Sequence, residues 1–191
     1  MNFFTSDLHW YHKRICEMSN RPWQTLERMH RGLVDRWNAK VSHEDTVYNL
    51  GDWSFAGRGH TLMVTSQLKG RIIHLCGNHD SRTKMAVRPG LDVLLADRIA
   101  DLTIGKQRLV LCHYPLLTWE GAHRDTWMLH GHSHGSLDKR FNGSTTRIDV
   151  GVDSEHTNYA PLSFDEIAAI MARRKYEAVD HHGKRDFHVE P

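Results

Sequence analysis

Short apolar runs that end in polar turns recur through the first half of the chain. Residues 2–6, 45–50 and 71–76 have apolar or β-branched centres and are followed at once by Asp or Gly. Runs of this length and composition predict buried strands. Residues 25–40 instead carry Leu, Met, Val and Trp at i, i+3, i+4 spacing, which predicts an amphipathic helix. Residues 60–68 predict a shorter helix that ends at a Lys-Gly pair.

The second half of the chain has a different pattern, with short strands in close succession. Gly105-Lys106 is typical of a hairpin turn, and Ser163 with Glu166 is a capping-box signature for a last helix that reaches about residue 173. Residues 11–18 and 81–87 are compatible with short helices. Further strands are predicted at 93–95, 99–104, 108–112, 126–129 and 146–150.

Strand–helix alternation followed by a β-rich half predicts an α/β fold, with a sandwich of sheets and helices outside. The length of 191 residues fits one domain. Residues 1–173 are predicted to form that domain. Residues 174–191 are polar and irregular, and we expect them to be a poorly ordered tail.

Composition and charge exclude several classes of protein. The chain is 39% hydrophobic and 25% charged, as is ordinary for a soluble domain. A net charge of +2 predicts no strong electrostatic attraction to nucleic acid or to a membrane surface. The unusual feature is 16 histidines, against 6 Phe and 5 Tyr. Histidine is the commonest metal ligand in proteins, so this excess directs attention to metal sites.

The three cysteines, Cys16, Cys76 and Cys112, cannot form a fully paired disulfide framework. Two of them lie in apolar runs, where a small buried thiol is the ordinary interpretation. No secretory leader precedes the first predicted strand, and together with the odd cysteine count this favours a reducing, cytoplasmic location. No run approaches the roughly 18 apolar residues of a membrane span, so we expect no membrane association.

Five short polar clusters follow predicted strands. Taken singly, each is explained as a polar turn. Functional groups at the carboxyl ends of strands converge in α/β sheets, and together these clusters supply enough O and N ligands for two divalent metal ions. Two-metal centres catalyse in-line attack of metal-bound hydroxide on phosphorus. The clusters are Ser6-Asp7-Leu8-His9, Gly51-Asp52, Gly77-Asn78-His79-Asp80, Cys112-His113 and Gly131-His132-Ser133-His134.

The order of these motifs, D-x-H, G-D, G-N-H-D, H and G-H-x-H, resembles that of the calcineurin-like metallophosphoesterases. The resemblance covers residues 2–170. Within that superfamily, residues 4–9, the pair Trp37-Asn38 and residues 149–153 are similar to small bacterial and phage phosphoesterases. The resemblance implies a four-layer αββα sandwich of two mixed sheets flanked by helices, with a metal site at the carboxyl ends of the strands.

The resemblance also implies a role for each motif residue. It implies two divalent transition-metal ions, with Mn expected first and Fe, Zn or Ni as alternatives, and in-line attack by a hydroxide that bridges them. His79 would stabilise the transition state and protonate the leaving oxygen as a general acid. The implied ligands are Asp7, His9 and His134 for the first ion, Asn78, His113 and His132 for the second, and Asp52 as the bridge between both.

One motif departs from the pattern that the resemblance implies. Many members of the superfamily read G-D-x-x-D-R-G, whereas this chain has Phe55 where a second Asp would orient the catalytic histidine and Ala56 where an Arg would hold phosphate. The orienting partner of His79 is therefore open. Loss of the Arg favours phosphodiesters, either small or nucleotide-like. The candidate substrate contacts that remain are His12, Arg58 and Arg82.

Several alternative functions stay open at this point. A phosphomonoesterase acting on nucleotides or phosphoproteins is the nearest alternative. A nuclease is less favoured because the net charge is only +2 and no basic stripe is present, so strong nucleic-acid binding is not expected. A non-catalytic scaffold is a further class. A structural mononuclear zinc domain fits badly, because such sites are usually closed and rich in Cys. The sequence does not indicate an oligomeric state.

Overall fold

The structure is a computed structural model that describes residues 1–80, 98–137 and 145–179, together with the backbone of Leu91–Asp92. No helix in these ranges is long and apolar enough to cross a lipid bilayer. In chain order the elements are β1 (Asn2–Thr5), α1 (Ile15–Met18), α2 (Leu26–Lys40), β2 (Thr46–Asn49), α3 (Arg58–Thr65), β3 (Arg71–His74), β4 (Leu91–Asp92), β5 (Ile99–Ile104), β6 (Gln107–Cys112), a 3-10 turn (Ala122–Arg124), β7 (Trp127–His130), β8 (Arg147–Asp149), β9 (Leu162–Ser163) and α4 (Phe164–Met171).

The strands form two mixed sheets. The first has the order β4-β3-β2-β1-β9, and only β9 runs antiparallel to its neighbour. The second has the order β5-β6-β7-β8, in which β5 and β6 form the predicted hairpin and the other pairs are parallel. The predicted α/β class with two mixed sheets is therefore confirmed. The strands that precede the five motifs run parallel to one another within each sheet. They are β1, β2 and β3 in the first sheet and β6 and β7 in the second.

Neighbouring residues of a strand point to opposite faces of the sheet, and the core follows this rule. Phe3 packs with Met29, Leu33 and Trp37 of α2, whereas Phe4 belongs to the apolar cluster between the two sheets. A helical layer therefore lies on the first sheet, and the second sheet lies on the opposite side. The inter-sheet cluster also contains Leu50, Leu75, Leu109, Leu111, Leu129, Ile148, Val150, Leu162, Ile167 and Met171.

The other face of the second sheet is covered mainly by a loop. Val110 and Met128 pack there with Trp119 and with the half-buried Tyr176. Among the residues that the structure describes, the cover consists of residues 114–126 and the segment after α4, and no α-helix lies on this face. The four-layer αββα arrangement thus stays a prediction, as does the boundary between domain and tail.

The helix boundaries follow local capping chemistry. α2 begins after Thr25, whose side chain accepts a hydrogen bond from the amide of Arg28 at 3.3 Å. α4 begins after Ser163, and the predicted capping box is present because Ser163 and Glu166 bond to each other's amides. Both helices are therefore confirmed close to their predicted starts.

Some predicted boundaries differ from the structure. The first helix begins only at Ile15, because Tyr11 has a left-handed φ of 62° that an α-helix does not accommodate. α3 begins at Arg58 and ends at Thr65, earlier than the predicted 60–68. The strand β9 was not predicted, since two residues carry no periodic signal. The predicted helix at 81–87 and the predicted strand at 93–95 lie outside the described residues.

Candidate metal centre

The motif residues meet beyond the carboxyl ends of parallel strands. Asp7, Asp52 and Asn78 follow β1, β2 and β3 of the first sheet, and His113 and His132 follow β6 and β7 of the second. The two sheets are joined at this edge, since the amide of His132 donates to Asp7 Oδ2 at 2.9 Å across 125 positions of chain. The predicted convergence of distant motifs at one edge therefore occurs.

The backbone at this edge is unusual. Five motif residues have left-handed φ angles, namely Asp7 (58°), His9 (51°), Asp52 (55°), His132 (67°) and His134 (47°). Residues other than glycine rarely adopt this conformation, and a cost of about 1–3 kcal/mol each persists only where surrounding bonds hold it. One such bond joins the amide of His9 to the carbonyl of Asp52 at 3.0 Å. Left-handed backbone is therefore frequent in the loops where the motif residues meet.

Two glycines allow the loops to approach the carboxylates closely. A Cβ on Gly77 would lie 2.2 Å from Asp52 Oδ1, and a Cβ on Gly131 would lie 2.4 Å from Asp7 Oδ2. Both distances are far below van der Waals contact. Only glycine therefore fits at these two positions without displacing a carboxylate.

Asp7, His9 and His134 form a first group of candidate ligands. His9 Nε2 lies 3.7 Å from Asp7 Oδ1, and His134 Nε2 lies 4.0 Å from the same oxygen. Asp7 and His9 are buried, yet Asp7 Oδ1 and both ring nitrogens of His9 have no hydrogen-bond partner within the described structure. Unpaired buried polar atoms are costly. These three side chains could hold a metal ion between them.

Asp52 lies between this group and the next. Its Oδ2 is 3.6 Å from His9 Nε2 and 3.5 Å from His113 Nε2. Its Oδ1 accepts the amide of His79 at 2.9 Å, which fixes the rotation of the carboxylate. Asp7, Asp52 and His113 form another buried set that could hold a metal ion.

Asn78, His113 and His132 form a second group. The amide oxygen Oδ1 of Asn78 lies 2.9 Å from His113 Nε2 and 3.0 Å from His132 Nδ1. His113 Nδ1 is bonded to the carbonyl of Leu50 at 2.9 Å. Because a carbonyl can only accept, this bond assigns the proton to Nδ1 and leaves Nε2 free to coordinate. The second group therefore brings one amide oxygen and two imidazole nitrogens together, and Asn78 and His132 of this group line the cleft.

Burial sets the charge state of the two most enclosed ligands. Desolvation, with a contribution from the charge of Asp149, raises the pKa of Asp7 to about 6. Desolvation also lowers the pKa of His9 to about 3, although Asp52 opposes it. At neutral pH Asp7 is therefore ionised and His9 is uncharged, which are the forms that bind metal ions.

His134 is oriented by a carboxylate from the other side of the site. Its Nδ1 lies 2.6 Å from Asp153 Oδ2. Burial acts to lower the pKa of His134, but the hydrogen bond to Asp153 and the charges of Asp7 and Asp153 outweigh it and raise the pKa. The Asp153 carboxylate thus holds a proton on Nδ1, so that Nε2 faces Asp7.

Asp80 positions the loops, and among the described residues it forms no hydrogen bond or ion pair with the side chain of His79. Its carboxylate accepts the amides of Asp52 at 2.6 Å, Trp53 at 2.9 Å and Gly77 at 2.9 Å. The buried His74 lies 3.3 Å from the same carboxylate. Desolvation opposes ionisation, but His74 and the amides outweigh it and lower the pKa of Asp80 to about 2.

The side chain of His79 lies at the rim of the site. It is 46% exposed, and its Nε2 is 3.9 Å from Asp52 Oδ2. Its ring packs against Phe55 with centroids 4.7 Å apart, and the ring of His12 stacks on Phe55 at 4.2 Å. Phe55, which replaces the expected Asp, therefore orients His79 by packing and not by a carboxylate.

A cleft of about 480 Å³ opens over these groups. Within the part of the chain that the structure describes, its lining contains no Lys or Arg. The predicted substrate contact His12 lines it, whereas exposed Arg58 does not, and Arg82 lies outside the described residues. The lining residues are His9, His12, Ile15, Met18, Ser19, Asn20, Asp52, Asn78, His79, His132, Ser133, His134 and Ser136.

Several residues around the site were not predicted as functional. Asp149 accepts Ser133 Oγ at 2.6 Å and the amide of Gly135 at 2.8 Å, which fixes the loop of the last motif. Asp153 orients His134 as described above. The signal available in the sequence was the run of residues 149–153, in which one carboxylate lies at the end of a predicted strand and a second follows it. His74 gave no signal, because a histidine inside an apolar strand has no distinctive spacing.

Comparisons with known proteins identify relatives without an assigned activity. No protein-family model matches the chain. The uncharacterized protein MJ1445 of Methanocaldococcus jannaschii is 28% identical over 178 residues, covering 91% of this chain and 92% of that protein. The crystal structure of AQ665, a protein of unknown function from Aquifex aeolicus, superposes with a TM-score of 0.68 at 24% identity. It covers 88% of this chain and 98% of AQ665, so the two proteins share a fold.

YfcE, a phosphoesterase from E. coli, is a more distant structural neighbour. It aligns with 80% of this chain and 79% of its own, at 18% identity and with a TM-score of 0.40. A likeness at this level carries no argument about activity. The functional conclusion therefore depends on the geometry of the site and on the order of its motifs.

Proposed function

We propose that this protein is a phosphoesterase that depends on two divalent metal ions. The observation that carries the proposal is the position of Asp52 Oδ2, at 3.6 Å from His9 Nε2 and 3.5 Å from His113 Nε2. One carboxylate oxygen between two groups of ligands is what a bridging ligand requires. The motif order, which resembles that of calcineurin-like metallophosphoesterases, supports the same conclusion. We also propose that residues 1–173 form one domain with the four-layer αββα arrangement.

The residues present fit two such ions. Asp7 Oδ1 and His9 Nε2 are buried without hydrogen-bond partners in the described structure, and both point to the same space. Carboxylate, imidazole and amide oxygen suit Mn, Fe, Zn or Ni, and no thiolate is needed. In this proposal Asp52 would be a ligand of both ions. The other ligands are Asp7, His9 and His134 for the first ion and Asn78, His113 and His132 for the second.

In the proposed mechanism, the metal ions and the protein side chains have separate roles. Two bound ions would activate a water molecule and neutralise charge on the phosphoryl oxygens. Asp80 holds the amides of Asp52 and Gly77, so the loops are positioned before substrate arrives. His79 donates a proton to the leaving oxygen, because its ring is accessible at the rim and is held by Phe55.

The cleft favours a phosphodiester over a monoester. A monoester carries an additional negative charge, which a nearby guanidinium would neutralise. The described lining offers no Lys or Arg for that purpose, and Ala56 stands where an Arg is expected. We therefore propose a small or nucleotide-like phosphodiester as the substrate class.

The proposal is tested by hydrolysis of bis-(p-nitrophenyl) phosphate beside p-nitrophenyl phosphate, with Mn²⁺, Ni²⁺, Zn²⁺ or a chelator. We expect metal-dependent cleavage of the diester that is lost in Asp52→Asn and kept in the exposed control Asp35→Asn. Faster cleavage of the monoester would assign a phosphomonoesterase instead. If metal is bound but neither ester is cleaved, the catalytic assignment is wrong and a binding role replaces it.

A further inference from the structure

Arg21 is a buried arginine that no motif includes. Its side chain is fully buried, and all five of its N–H groups have acceptors. Nε and Nη2 donate to the two carboxylate oxygens of Asp153, each at 2.8 Å. Nη2 also donates to the carbonyl of Asp7 at 2.7 Å, and Nη1 donates to the carbonyl of Leu8 at 3.0 Å and to the sulfur of Met29 at 3.4 Å.

These bonds join two loops that are far apart in the chain, and Arg21 itself is 132 positions from Asp153. One loop carries Asp7, and its backbone is held directly by the guanidinium. The other carries Asp153, whose Oδ2 lies 2.6 Å from His134 Nδ1. Arg21 therefore contacts both sides of the first group of candidate ligands. A lysine, with a single ammonium, could not reach both carboxylate oxygens and two carbonyls in a fixed plane.

We propose that Arg21 and Asp153 are positioning residues for the first metal ion, an inference that rests on the proposed function. Asp153 holds the proton of His134 on Nδ1, which leaves Nε2 unprotonated and directed at Asp7 Oδ1, 4.0 Å away. Arg21 holds the Asp153 carboxylate in plane and keeps the Asp7 loop at a fixed distance from it. Neither residue touches substrate.

The contacts of Arg21 and Asp153 are confined to the half of the centre that would hold the first metal ion. His113 is oriented by the carbonyl of Leu50, and Asn78 and His132 contact each other. Among the hydrogen bonds of the described residues, those of Arg21 and Asp153 reach only the first group. Substitution of either residue should therefore weaken the binding of one ion and leave the affinity for the other ion unchanged.

The test is a calorimetric titration of Mn²⁺ into the metal-free chain of 191 residues, for wild type, Arg21→Lys and Asp153→Asn. Arg31→Lys and Asp35→Asn are exposed controls for the same chemical changes. We expect wild type and both controls to bind two ions. In each test variant one ion should bind about 10–100-fold more weakly and the other with unchanged affinity.

A second measurement does not depend on metal. In the metal-free protein with ¹⁵N-labelled histidine, at a pH high enough that the His134 ring is neutral, NMR should show the Nδ1–H tautomer for this ring in wild type. The tautomer ratio should be shifted in Asp153→Asn. If Arg21→Lys fails to fold, Asp153→Asn decides alone. Two ions bound with wild-type affinities in Asp153→Asn would overturn this inference and leave the proposed function intact. Wild type that binds no metal would overturn both.

Discussion

At the scale of single residues, His79 differs from the other motif histidines in its surroundings. Its side chain is 46% exposed, whereas those of His9 and His113 are 4% and 1% exposed. Its amide, and not its ring, is hydrogen-bonded to Asp52 Oδ1. The ring is therefore free to contact a substrate, while the backbone keeps it beside the carboxylate.

Replacement of His79 by Ala should separate catalysis from metal binding. We expect His79→Ala to retain two ions per chain, because its ring contributes no proposed ligand atom, and to lose about 10²–10⁴-fold in kcat. Metal content and diester hydrolysis measure the two effects. His43→Ala is the matched control, because His43 is an exposed histidine outside the five motifs. Parallel loss of metal and activity in His79→Ala would contradict this role.

Proton release on metal binding should depend on pH. Burial raises the pKa of Asp7 to about 6, and Asp153 raises that of His134 despite the opposing effect of burial. Both groups gain protons in the metal-free protein as pH falls, and metal binding must displace them. We expect protons released from these two groups to rise from near zero at high pH to about two near pH 5. Titrations in buffers of different ionisation enthalpy measure this, and release that is independent of pH would contradict it.

At the scale of secondary-structure elements, features that depend on neighbours close in the sequence were predictable, and features that depend on distant contacts were not. The strand cores were predictable because burial on both faces makes them short apolar runs, and α2 because burial on one face imposes a period of about 3.6. The capping box of α4 was predictable because its partners are three residues apart. The late start of α1 was not, since the left-handed φ of Tyr11 belongs to a loop whose neighbours come from elsewhere in the chain.

The strand-end loops depend on glycine in a way that a helix does not. Gly77→Ala would bring a Cβ to 2.2 Å from Asp52 Oδ1, so we expect weaker binding of both ions, measured by calorimetry. Gly59→Ala is the matched control, because nothing lies within 4 Å of its added Cβ in α3. The control should leave metal binding unchanged and stabilise the fold by about 0.5–1 kcal/mol. Unchanged affinity in Gly77→Ala would show that the loop relaxes freely.

At the scale of the whole molecule, the candidate centre joins the two sheets. Its ligands come from loops after three strands of the first sheet and two of the second. Neighbouring ligand atoms of Asp7, His9, Asp52, His113 and His134 lie 3.5–4.0 Å apart. Without a cation, Asp7 and Asp52 repel each other at this junction, as the charge of Asp52 contributes to the raised pKa of Asp7. Stability of the sandwich and occupancy of the centre are therefore coupled.

Removal of metal should lower the thermal stability. An ion present at a hundred times its Kd stabilises the fold by about 2.7 kcal/mol, and each kcal/mol shifts Tm by about 2–4 °C in a domain of this size. We expect a chelator to lower Tm by about 5–10 °C for each ion of that affinity, measured by calorimetric unfolding. Recovery of Tm on addition of Mn²⁺ is the control, and a Tm that ignores the chelator would contradict the coupling.

The sequence alone determined the longer strands, the main helices and the set of polar residues that follow the strands. Those features depend on neighbours within a few positions, where periodicity and turn chemistry are visible. The packing of the two sheets decided the rest: Asp52 between His9 and His113, and Arg21 between Asp7 and Asp153. These contacts join residues far apart in the chain, and no local pattern records them, because their geometry exists only once the sheets have packed against each other.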